Sequence, residues 1–454
     1  MTETNRNRDA FDLLVIGSGM AGQTAARKCA GAGWSVAIVD ELPYGGTCAL
    51  RGCDPKKMLV AAAEAWDWQH RMEEHGFRCR GASIDWGELQ RFKRSFTDPL
   101  PHEVESALAR AGVETLHGTA RFLDPDTVEV DGRRLAPRHV VIATGAEPMP
   151  LPFSGEELLT DSTSFLELES LPGDVTFVGG GFISFELAHV AARAGATVRI
   201  LEMMERPLGP FDPDLVELLV AAGREVGVDV RTETRVAAVE RRGDRLEVQV
   251  ESPAGEGRFT TDLVVHGAGR VPRLEPLNLA AAGVEHTKRG VAVDRHLRSV
   301  SLPRVYAAGD AADAGLPLTP VAVTHGHTVA ANLLGKERPV DLRGTPSVVF
   351  TLPPLAAVGL TEAQARDEGV EVEVRTGETA GWYTSRRINE GHSGFKVLLE
   401  AGGDRVLGAH LLGHGAEEAI NLLALAMRSG IGAGELKRGL WAYPTKGSDL
   451  PFML

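Results

Sequence analysis

The feature that most constrains this chain is a strand–turn–helix pattern that occurs twice with the same internal spacing. In each copy a short apolar run is followed by a glycine-rich turn, an alanine-rich stretch, a second apolar run and an acid. The second copy lies 162 residues after the first, and the landmarks that correspond are Gly17 and Gly179, Gly19 and Gly181, Gly22 and Ser184, and Asp40 and Glu202. One such turn is a weak signal, but two copies in one register predict two similar α/β units.

The chemistry of this pattern is that of dinucleotide binding. Glycine lets the backbone turn tightly and approach a pyrophosphate, which then sits at the N-terminus of the following helix. The acid at the end of the second strand can accept hydrogen bonds from a ribose. Each copy is followed by a later apolar strand that ends in glycine, at Thr144 and Gly145 in the first and at Gly269, before Arg270, in the second. We therefore predict two dinucleotide sites.

The chain of 454 residues is longer than a single hydrophobic core usually serves. Proline-rich stretches near 148–152 and around Pro272 mark crossings between domains. Beyond about residue 344 the nucleotide pattern gives way to an α+β module. In this module we expect strands at 370–374, 394–400 and 406–412 and a helix at 417–429. The predicted fold class is α/β, with two Rossmann-like dinucleotide-binding domains and this C-terminal α+β module.

Composition and charge exclude several classes of partner. The formal net charge is −14, which disfavours nucleic acid and anionic membranes because both attract basic surfaces. Residues 1–9 are polar and lack the apolar core of a secretory signal, and the chain has no run of eighteen apolar residues. We therefore expect a cytoplasmic protein with no nucleic-acid or membrane partner.

Cys48 and Cys53 lie close together in a glycine-rich segment that follows the first dinucleotide acid. Zinc binding would need a second cysteine pair or histidines nearby, and the adjacent sequence has neither. A structural disulfide is uncommon in a reducing compartment and in a loop beside a nucleotide site. These considerations favour a redox-active pair, and we predict no metal-binding site.

The residues that follow Cys53 favour a thiolate at this position. Asp54 and Pro55 are typical of a helix cap and a first helical residue, which would place Cys53 near a helix N-terminus. Lys56 and Lys57 add positive charge. Both features stabilise a thiolate relative to a thiol.

The segment 45–57 resembles the active-site segment of the glutathione reductase, dihydrolipoamide dehydrogenase and mercuric reductase family, the class I pyridine nucleotide-disulfide oxidoreductases. Residues 305–310 resemble the second flavin motif of this family, whose aspartate, here Asp310, holds the ribityl chain. Residues 318–322 resemble the segment under the flavin ring, and residues 350–362 resemble the start of the dimerisation domain. The resemblance covers nearly the whole chain.

This resemblance implies an FAD enzyme that passes electrons from a nicotinamide dinucleotide, through the flavin, to a Cys48–Cys53 disulfide. Cys53 would be the thiol nearest the flavin, and Cys48 the interchange thiol that attacks the acceptor. Lys56 would lie beside the flavin and pair with Glu186, which without the family would be interpreted as a surface residue of its helix. Phe182 takes the place of an aromatic residue that shields the nicotinamide pocket.

The resemblance also assigns cofactor positions, domain boundaries and a homodimer. The residues expected to bind the two dinucleotides are Gly17, Gly19, Gly22, Asp40, Gly46, Thr47, Thr144, Gly145, Gly309, Asp310, Gly179, Gly181, Glu202, Gly269 and Arg270. The expected domains are 1–153 and 270–343 for FAD, 154–269 for the nicotinamide dinucleotide, and 344–454 for dimerisation.

Glu202 favours NADH over NADPH as the electron donor. An acid at this position can bind a ribose 2′-hydroxyl and repels a 2′-phosphate. Family members that use NADPH place arginines in this stretch, whereas here Arg206 is the only cation nearby, and Glu205 is available to pair with it. NADPH remains the alternative.

The C-terminal segment departs from the family pattern. Disulfide reductases of this family carry a histidine and, five residues later, a glutamate, which serve as acid and base for the interchange thiol. Here the histidine is Tyr443, the fifth position is Ser448, and an acid follows only at Asp449. Tyrosine, with a pKa of about 10, is a poor proton shuttle at neutral pH, and lost acid–base help costs roughly 10² to 10⁴ in rate. A tyrosine also faces the metal in mercuric reductases, but this chain lacks their C-terminal cysteine pair.

Three functions are consistent with the sequence. The first is electron transfer from NADH to an acceptor that needs no histidine, such as a metal ion, a quinone or an unusual disulfide. The second is a conventional disulfide reductase of the dihydrolipoamide dehydrogenase or glutathione reductase type, and the third is a non-catalytic flavoprotein redox sensor. Tyr443 is either catalytic or an interface packing residue. His325 and His327 are interpreted as helix-face residues near the interface, and Cys29 and Cys79 as core residues.

Overall fold

The structure is a computed structural model that describes residues 9–78 and 81–454, so Cys79 lies outside the described residues. The chain forms two compact units. The first comprises the chain up to Pro55, Lys93–Met149 and Arg270–Leu342, and the second comprises Lys56–Phe92, Pro150–Gly269 and Arg343–Leu454. The predicted α/β class is confirmed. The predicted four-part domain division stays a prediction.

The strands of the described residues are two to eight residues long. They are β1 (Leu13–Ile16), β2 (Val36–Asp40), β3 (Val113–His117), β4 (Ala120–Phe122), β5 (Val128–Val130), β6 (Arg133–Leu135), β7 (His139–Ile142), β8 (Ala146–Pro148), β9 (Asp174–Val178), β10 (Thr197–Leu201), β11 (Val228–Arg231), β12 (Arg235–Arg242), β13 (Arg245–Ser252), β14 (Gly255–Thr261), β15 (Leu263–His266), β16 (Arg270–Pro272), β17 (His286–Thr287), β18 (Gly290–Val291), β19 (Val305–Ala307), β20 (Ser347–Val349), β21 (Leu355–Gly359), β22 (Val372–Glu378), β23 (Gly394–Glu400) and β24 (Val406–Leu412).

The helices connect these strands or cover their sheets. They are α1 (Met20–Gly31), α2 (Gly46–Arg51), α3 (Cys53–Met72), α4 (Trp86–Thr97), α5 (Leu100–Arg110), α6 (Ser162–Leu166), α7 (Phe182–Arg193), α8 (Pro213–Glu225), α9 (Leu279–Ala282), α10 (Thr319–Leu333), α11 (Glu362–Asp367), α12 (Tyr383–Arg386), α13 (Ala416–Ser429), α14 (Ala433–Arg438) and α15 (Leu450–Met453). Among the described residues, no helix is both long enough and apolar enough to cross a membrane.

A five-stranded parallel sheet forms the centre of the first unit, in the order β19-β7-β1-β2-β3. All four residues of β1 are buried. Parallel strands covered on both faces need continuous apolar runs, which is why this strand shows no alternation of polar and apolar residues. The carboxyl ends of β1, β2 and β7 meet at one edge, so the predicted residues that follow these strands gather there.

The second unit contains a parallel sheet, β11-β10-β9-β15, which repeats the arrangement of the first. Its C-terminal part is an antiparallel sheet in the order β20-β21-β24-β23-β22 with α13 packed on it. The strands predicted at 394–400 and 406–412 have these bounds in the structure, and the helix begins one residue earlier than predicted. The strand predicted at 370–374 is instead β22, Val372–Glu378.

Two glycines of the repeated pattern permit close approaches that no side chain would allow. Gly17 has φ +103, and a Cβ built there would lie 2.2 Å from the Ala143 carbonyl oxygen. Gly179 has φ +94, and its Cβ would lie 2.4 Å from the Ala268 Cα. Each glycine therefore packs its strand end directly against the backbone of a neighbouring strand end.

Candidate active site

The acid of the first repeat is bonded to its own glycine turn. One carboxylate oxygen of Asp40 accepts hydrogen bonds from the Ser18 N–H and hydroxyl, both at 2.7 Å. The other accepts from the Leu42 N–H at 2.9 Å. Asp40 thus holds the end of β2 against the turn that begins α1.

The acid of the second repeat is bonded in the same way. Glu202 accepts from the Gly180 N–H at 2.6 Å with one oxygen and from the Met204 N–H at 2.7 Å with the other. These donors lie 162 residues after Ser18 and Leu42. The repeat found in the sequence therefore extends to the hydrogen bonds that shape each turn.

The first turn leaves room for a pyrophosphate. Helix α1 starts after Gly19 without a side-chain cap, and Cβ atoms built at Gly19 or Gly145 would meet no atom within 4 Å. Gly46 packs on the turn, since its Cβ would lie 2.5 Å from the Gly19 Cα. Uncapped N–H groups at a helix start attract phosphate oxygens. This cradle fits the diphosphate of FAD, and Thr47 follows Gly46 in α2.

Other predicted flavin residues of the first unit border the same sheet edge. The buried Thr144 hydroxyl has no hydrogen-bond partner among the described residues, so it is free for a cofactor. Asp310 lies in a short 3₁₀ turn with Gly309, and burial raises the pKa of its carboxyl. Arg270 donates to the Ala146 carbonyl, also in the first unit. These residues fit FAD, which would supply the electron-carrying isoalloxazine ring when bound.

The second turn lies closer to its neighbours than the first, since a Cβ built at Gly181 would lie 3.3 Å from the Gly267 carbonyl oxygen. Helix α7 begins after Gly181 without a side-chain cap. Phe182, its first residue, is 47% exposed, as expected of an aromatic residue that shields a pocket. Gly269 ends the stretch after β15 with φ +114. Together with Glu202, these residues form a cradle suited to a nicotinamide dinucleotide.

Cys48 and Cys53 are brought together by a third side chain. Neither cysteine is in a disulfide in the structure. The Thr319 hydroxyl donates to the Cys48 sulfur at 3.0 Å and lies 3.8 Å from the Cys53 sulfur. Thr319 is the first residue of α10. The hydroxyl therefore contacts both sulfur atoms of the candidate redox pair.

The two thiols have different surroundings. A hydrogen bond with Cys53, followed by burial, raises the pKa of the Cys48 thiol, while the Thr319 hydroxyl acts in the opposite direction. Cys53 is exposed and is the first residue of α3. The helix thus starts earlier than predicted, and Asp54 and Pro55 lie in its first turn. A helix N-terminus favours negative charge, so Cys53 is the better site for a thiolate.

Lys56 and Glu186 form a buried ion pair, as the resemblance implied. Their charged atoms are 2.7 Å apart, and the side chains are only 11% and 5% exposed. The same Glu186 oxygen accepts from the Phe350 N–H at 2.7 Å, and the Lys56 ammonium lies 4.7 Å from the centre of the Phe350 ring. Glu186 is thus buried, and its interpretation as a surface residue from its own sequence context is wrong.

The C-terminal segment does not form an acid–base pair of the usual family kind. Tyr443 is 79% exposed and stacks on Tyr383, with ring centres 6.4 Å apart. Asp449 accepts a buried hydrogen bond from the Thr384 hydroxyl at 2.5 Å and lies 4.0 Å from the Lys446 ammonium. Burial raises the pKa of Asp449. The only acid that follows Tyr443 closely is therefore engaged inside the domain.

Ser448, the residue at the position of the family glutamate, is also engaged within its segment. Its N–H and hydroxyl bond with Thr445. His327, one of the two histidines on α10, is exposed. His325 is fully buried on its helix, and its position near the interface stays a prediction. Cys29 is buried in the core, as predicted.

The sequence did not predict two hydrogen bonds, the one from Thr319 to Cys48 and the one from Phe350 to Glu186. Thr319 lies 271 residues from Cys48, and Phe350 lies 164 residues from Glu186. Both fall inside segments that resemble the family, which is the only signal the sequence offers for them. Their hydrogen bonds depend on tertiary packing that no local pattern encodes.

Two family models match the chain. The first, described as pyridine nucleotide-disulphide oxidoreductase, matches residues 11–326, and the second, its dimerisation domain, matches residues 345–451. The chain is 34% identical over 437 residues to a glutathione reductase of Burkholderia cepacia, with 96% of each chain covered. It is 32% identical to a dihydrolipoyl dehydrogenase of Staphylococcus aureus, with 96% of this chain and 94% of that protein covered.

A solved structure is also similar. A Cu(II) complex of the HOCl-induced flavoprotein disulfide reductase RclA from Escherichia coli superposes with a TM-score of 0.87 and 28% identity, covering 98% of both chains. The chain therefore belongs to the class I pyridine nucleotide-disulfide oxidoreductases, as its sequence predicted. This is a family of flavoprotein enzymes that depend on FAD and use NADH or NADPH.

Replacing Thr319 with valine should make Cys48 a weaker nucleophile. The substitution keeps the shape but removes the hydroxyl that lowers the pKa of Cys48, so this pKa should rise. Loss of one hydrogen bond should slow alkylation of Cys48 at neutral pH by about fivefold and move its pH profile upward. The rate is measured by mass spectrometry of the NADH-reduced protein treated with iodoacetamide.

Thr324→Val is the matched control for this substitution. Thr324 lies on the same helix, but its hydroxyl donates to the Pro320 carbonyl at 2.8 Å. Its replacement should leave the alkylation profile of Cys48 unchanged. Equal profiles for Thr319→Val and the unaltered protein would show that the hydroxyl does not act on Cys48.

Lys56→Met should destabilise the fold much more than Lys57→Met. The first substitution leaves the Glu186 carboxylate buried without its counterion, which costs about 3 kcal/mol or more. The second breaks the Lys57–Glu64 pair, whose side chains are 40% and 39% exposed and whose loss should cost at most about 1 kcal/mol. Denaturant unfolding followed by circular dichroism measures both. Equal losses would contradict a special role for the buried pair.

Proposed function

We propose that this protein is an FAD-dependent NADH oxidoreductase that passes electrons through the Cys48–Cys53 pair to a metal ion of the Cu(II) type. The family supports the route from a nicotinamide dinucleotide to a flavin and a cysteine pair. The nicotinamide preference, the roles of individual residues and the acceptor are parts of this proposal.

The observation that carries the proposal is that the cysteine site is intact while the acid–base pair of the family is missing. Thr319 contacts both sulfur atoms. Tyr443 occupies the histidine position with its ring exposed, and Asp449 is bonded to Thr384 inside the domain. The site is thus built to store two electrons but not to deliver protons to an acceptor.

The proton balance of the reaction favours a metal ion. Oxidation of the Cys48–Cys53 dithiol to a disulfide releases two electrons and two protons. Two Cu(II) ions take one electron each and become Cu(I), and both protons go to solvent. A disulfide acceptor would take both electrons and both protons to become two thiols, so it benefits from a nearby acid. Of these two reactions, only the one with a metal ion has no use for the missing histidine.

A related structure supports the same choice of acceptor. RclA, a flavoprotein disulfide reductase that is similar over 98% of this chain, forms a complex with Cu(II). A reduced cysteine pair is a soft donor set, and soft thiolate ligands select Cu(I), which is the product of the proposed reaction. We therefore place Cu(II) before other metal ions as the acceptor to be tested.

The second turn supports NADH as the donor. Glu202 keeps a carboxylate at the position where a 2′-phosphate would otherwise lie, and negative charges repel each other. The Arg206 guanidinium donates to the carbonyls of Phe211 at 2.8 Å and Gly209 at 3.1 Å. It is therefore bonded to the loop backbone, and the suggested pairing with Glu205 is not needed.

We also propose that the protein acts as a homodimer. The family model for residues 345–451 is a dimerisation domain. In this part of the chain several large apolar side chains are exposed, namely Leu425, Leu440, Tyr443 and Phe452. Burial of such side chains between two copies is a common driving force for association.

A conventional dithiol–disulfide reductase is the second candidate. The 34% identity to a glutathione reductase favours it, and water or Tyr443 would then have to replace the histidine. A non-catalytic redox sensor is disfavoured because the buried Lys56–Glu186 pair and the uncapped helix start of both nucleotide turns are retained.

An acceptor panel distinguishes these candidates. With NADH, the protein should reduce Cu(II) at least about tenfold faster than glutathione disulfide or lipoamide, because the disulfide reactions lack their acid. Cu(I) is measured with a chelating dye while NADH oxidation is followed by absorbance. Cys53→Ser should abolish copper reduction, whereas the buried Cys29→Ser should not. Ordinary rates with either disulfide and none with Cu(II) would exclude the proposal.

Glu202→Ala should weaken selection for NADH. Loss of a charged hydrogen-bond acceptor for the ribose should raise the KM for NADH by roughly tenfold or more and lower the KM for NADPH. The control is Glu205→Ala, because Glu205 is exposed in the same loop. Steady-state kinetics with both donors give the comparison, and a preference of the unaltered protein for NADPH would refute the assignment.

A further inference from the structure

His325 is a buried histidine next to the candidate flavin residues. It lies on α10 and is fully buried. Its Nδ1 accepts a hydrogen bond from the Gly309 N–H at 3.1 Å. Burial lowers the pKa of this imidazole to about 4. The ring is therefore neutral at pH 7, with Nδ1 as the acceptor and the proton on Nε2.

The bonded residue, Gly309, begins the turn that carries Asp310. Gly309 adopts φ +65, in the left-handed region, and the 3₁₀ turn Gly309–Ala311 follows directly after β19. The Gly309 N–H lies at the point where the strand ladder has ended, so it needs an acceptor from elsewhere. His325 supplies that acceptor from a neighbouring helix.

Helix α10 is a firm support for this contact. A Cβ built at Gly326 would lie 2.6 Å from the Ala21 carbonyl oxygen, so α10 and α1 pack backbone to backbone next to His325. Two turns earlier the same helix presents Thr319 to the Cys48 sulfur. One helix therefore contacts both the cysteine pair and the turn of Asp310.

We infer that His325 is a positioning residue for FAD binding. By accepting the Gly309 N–H, its ring holds the turn in the conformation in which Asp310 faces the ribityl chain. If the turn is already ordered before FAD binds, binding does not lose the conformational entropy of ordering it. The affinity for FAD is then higher. This inference rests on the proposed place of Asp310 at the flavin.

The imidazole offers two polar atoms, and only one of them is used in the polypeptide. Nδ1 bonds to Gly309, whereas Nε2 has no hydrogen-bond partner among the described residues. Asparagine places its amide oxygen near the position of Nδ1, and glutamine places its amide nitrogen near that of Nε2. The two variants therefore separate a contact made through Gly309 from one made through Nε2.

The test measures FAD affinity of three variants by reconstituting the apoprotein and following quenching of flavin fluorescence. His325→Leu should weaken FAD binding by about tenfold, because it keeps the bulk but removes the acceptor. His325→Asn should bind FAD within about twofold of the unaltered protein, and His325→Gln should resemble His325→Leu. His327→Leu is the control, since His327 lies on the same helix and is exposed.

Several results would overturn the inference. FAD binding by His325→Leu equal to that of the unaltered protein would show that the contact with Gly309 does not matter. Rescue by glutamine but not by asparagine would assign the effect to Nε2. The thermal midpoint of each apoprotein is a second measurement. If both His325→Leu and His325→Asn lose FAD affinity and their thermal midpoints fall to the same extent, the role of His325 is purely structural.

Failure of this inference differs from failure of the proposed function. If the unaltered protein binds FAD and reduces Cu(II) while all His325 variants bind FAD normally, only the role of His325 is wrong. If the unaltered protein binds no FAD, the proposed function itself is wrong.

Discussion

Each nucleotide unit depends on a carboxylate that ties the end of one strand to the glycine turn of the strand before it. In the first unit Asp40 accepts from Ser18, and in the second Glu202 accepts from Gly180. These bonds fix the turn, and the turn fixes the direction of the following helix, whose first N–H groups have no side-chain cap. A strand end, an acid and a helix start are thus combined into one anion-binding and ribose-binding cradle. The candidate chemistry of the protein depends on two such cradles.

The redox site has a thiol pair held by side-chain contacts but lacks the acid–base residues that would transfer protons. Thr319 contacts both sulfurs, and the hydrogen bond with Cys53 together with burial raises the pKa of Cys48. In the C-terminal segment the acid has become part of the domain interior, through Thr384. An electron acceptor that binds no proton uses the thiol pair and does not need an acid from the C-terminal segment. This is the physical reason for proposing a metal ion, and it accounts for the departure at Tyr443 without treating it as a defect.

Much of the fold was predictable from the sequence because its signals are local and repeated. The glycine turns, the acids and the buried strands occur in short segments, and the 162-residue offset removed the ambiguity of a single motif. The antiparallel strands 394–400 and 406–412 were equally clear as apolar runs. The pairing of Lys56 with Glu186 was expected only because the family was recognised. Thr319, Phe350 and the burial of His325 could not be predicted, since each depends on which distant segment packs against it. Asp449 is bonded to Thr384, which lies 65 residues away, and no motif in the sequence indicates this contact.

In the proposed reaction electrons leave the cysteine pair without help from a protein acid, and a single-turnover experiment tests this step. The protein is reduced anaerobically with one equivalent of NADH and then mixed with excess Cu(II) at a series of pH values. We expect rapid reoxidation with two Cu(I) formed per NADH, and a rate that does not fall as pH rises, because the reaction releases protons and takes none from an acid of the protein. We also expect Cys53→Ser to form no Cu(I) from the thiol pair. Reoxidation by glutathione disulfide but not by Cu(II), with a rate that falls as an acid of the protein loses its proton, would contradict the proposed reaction.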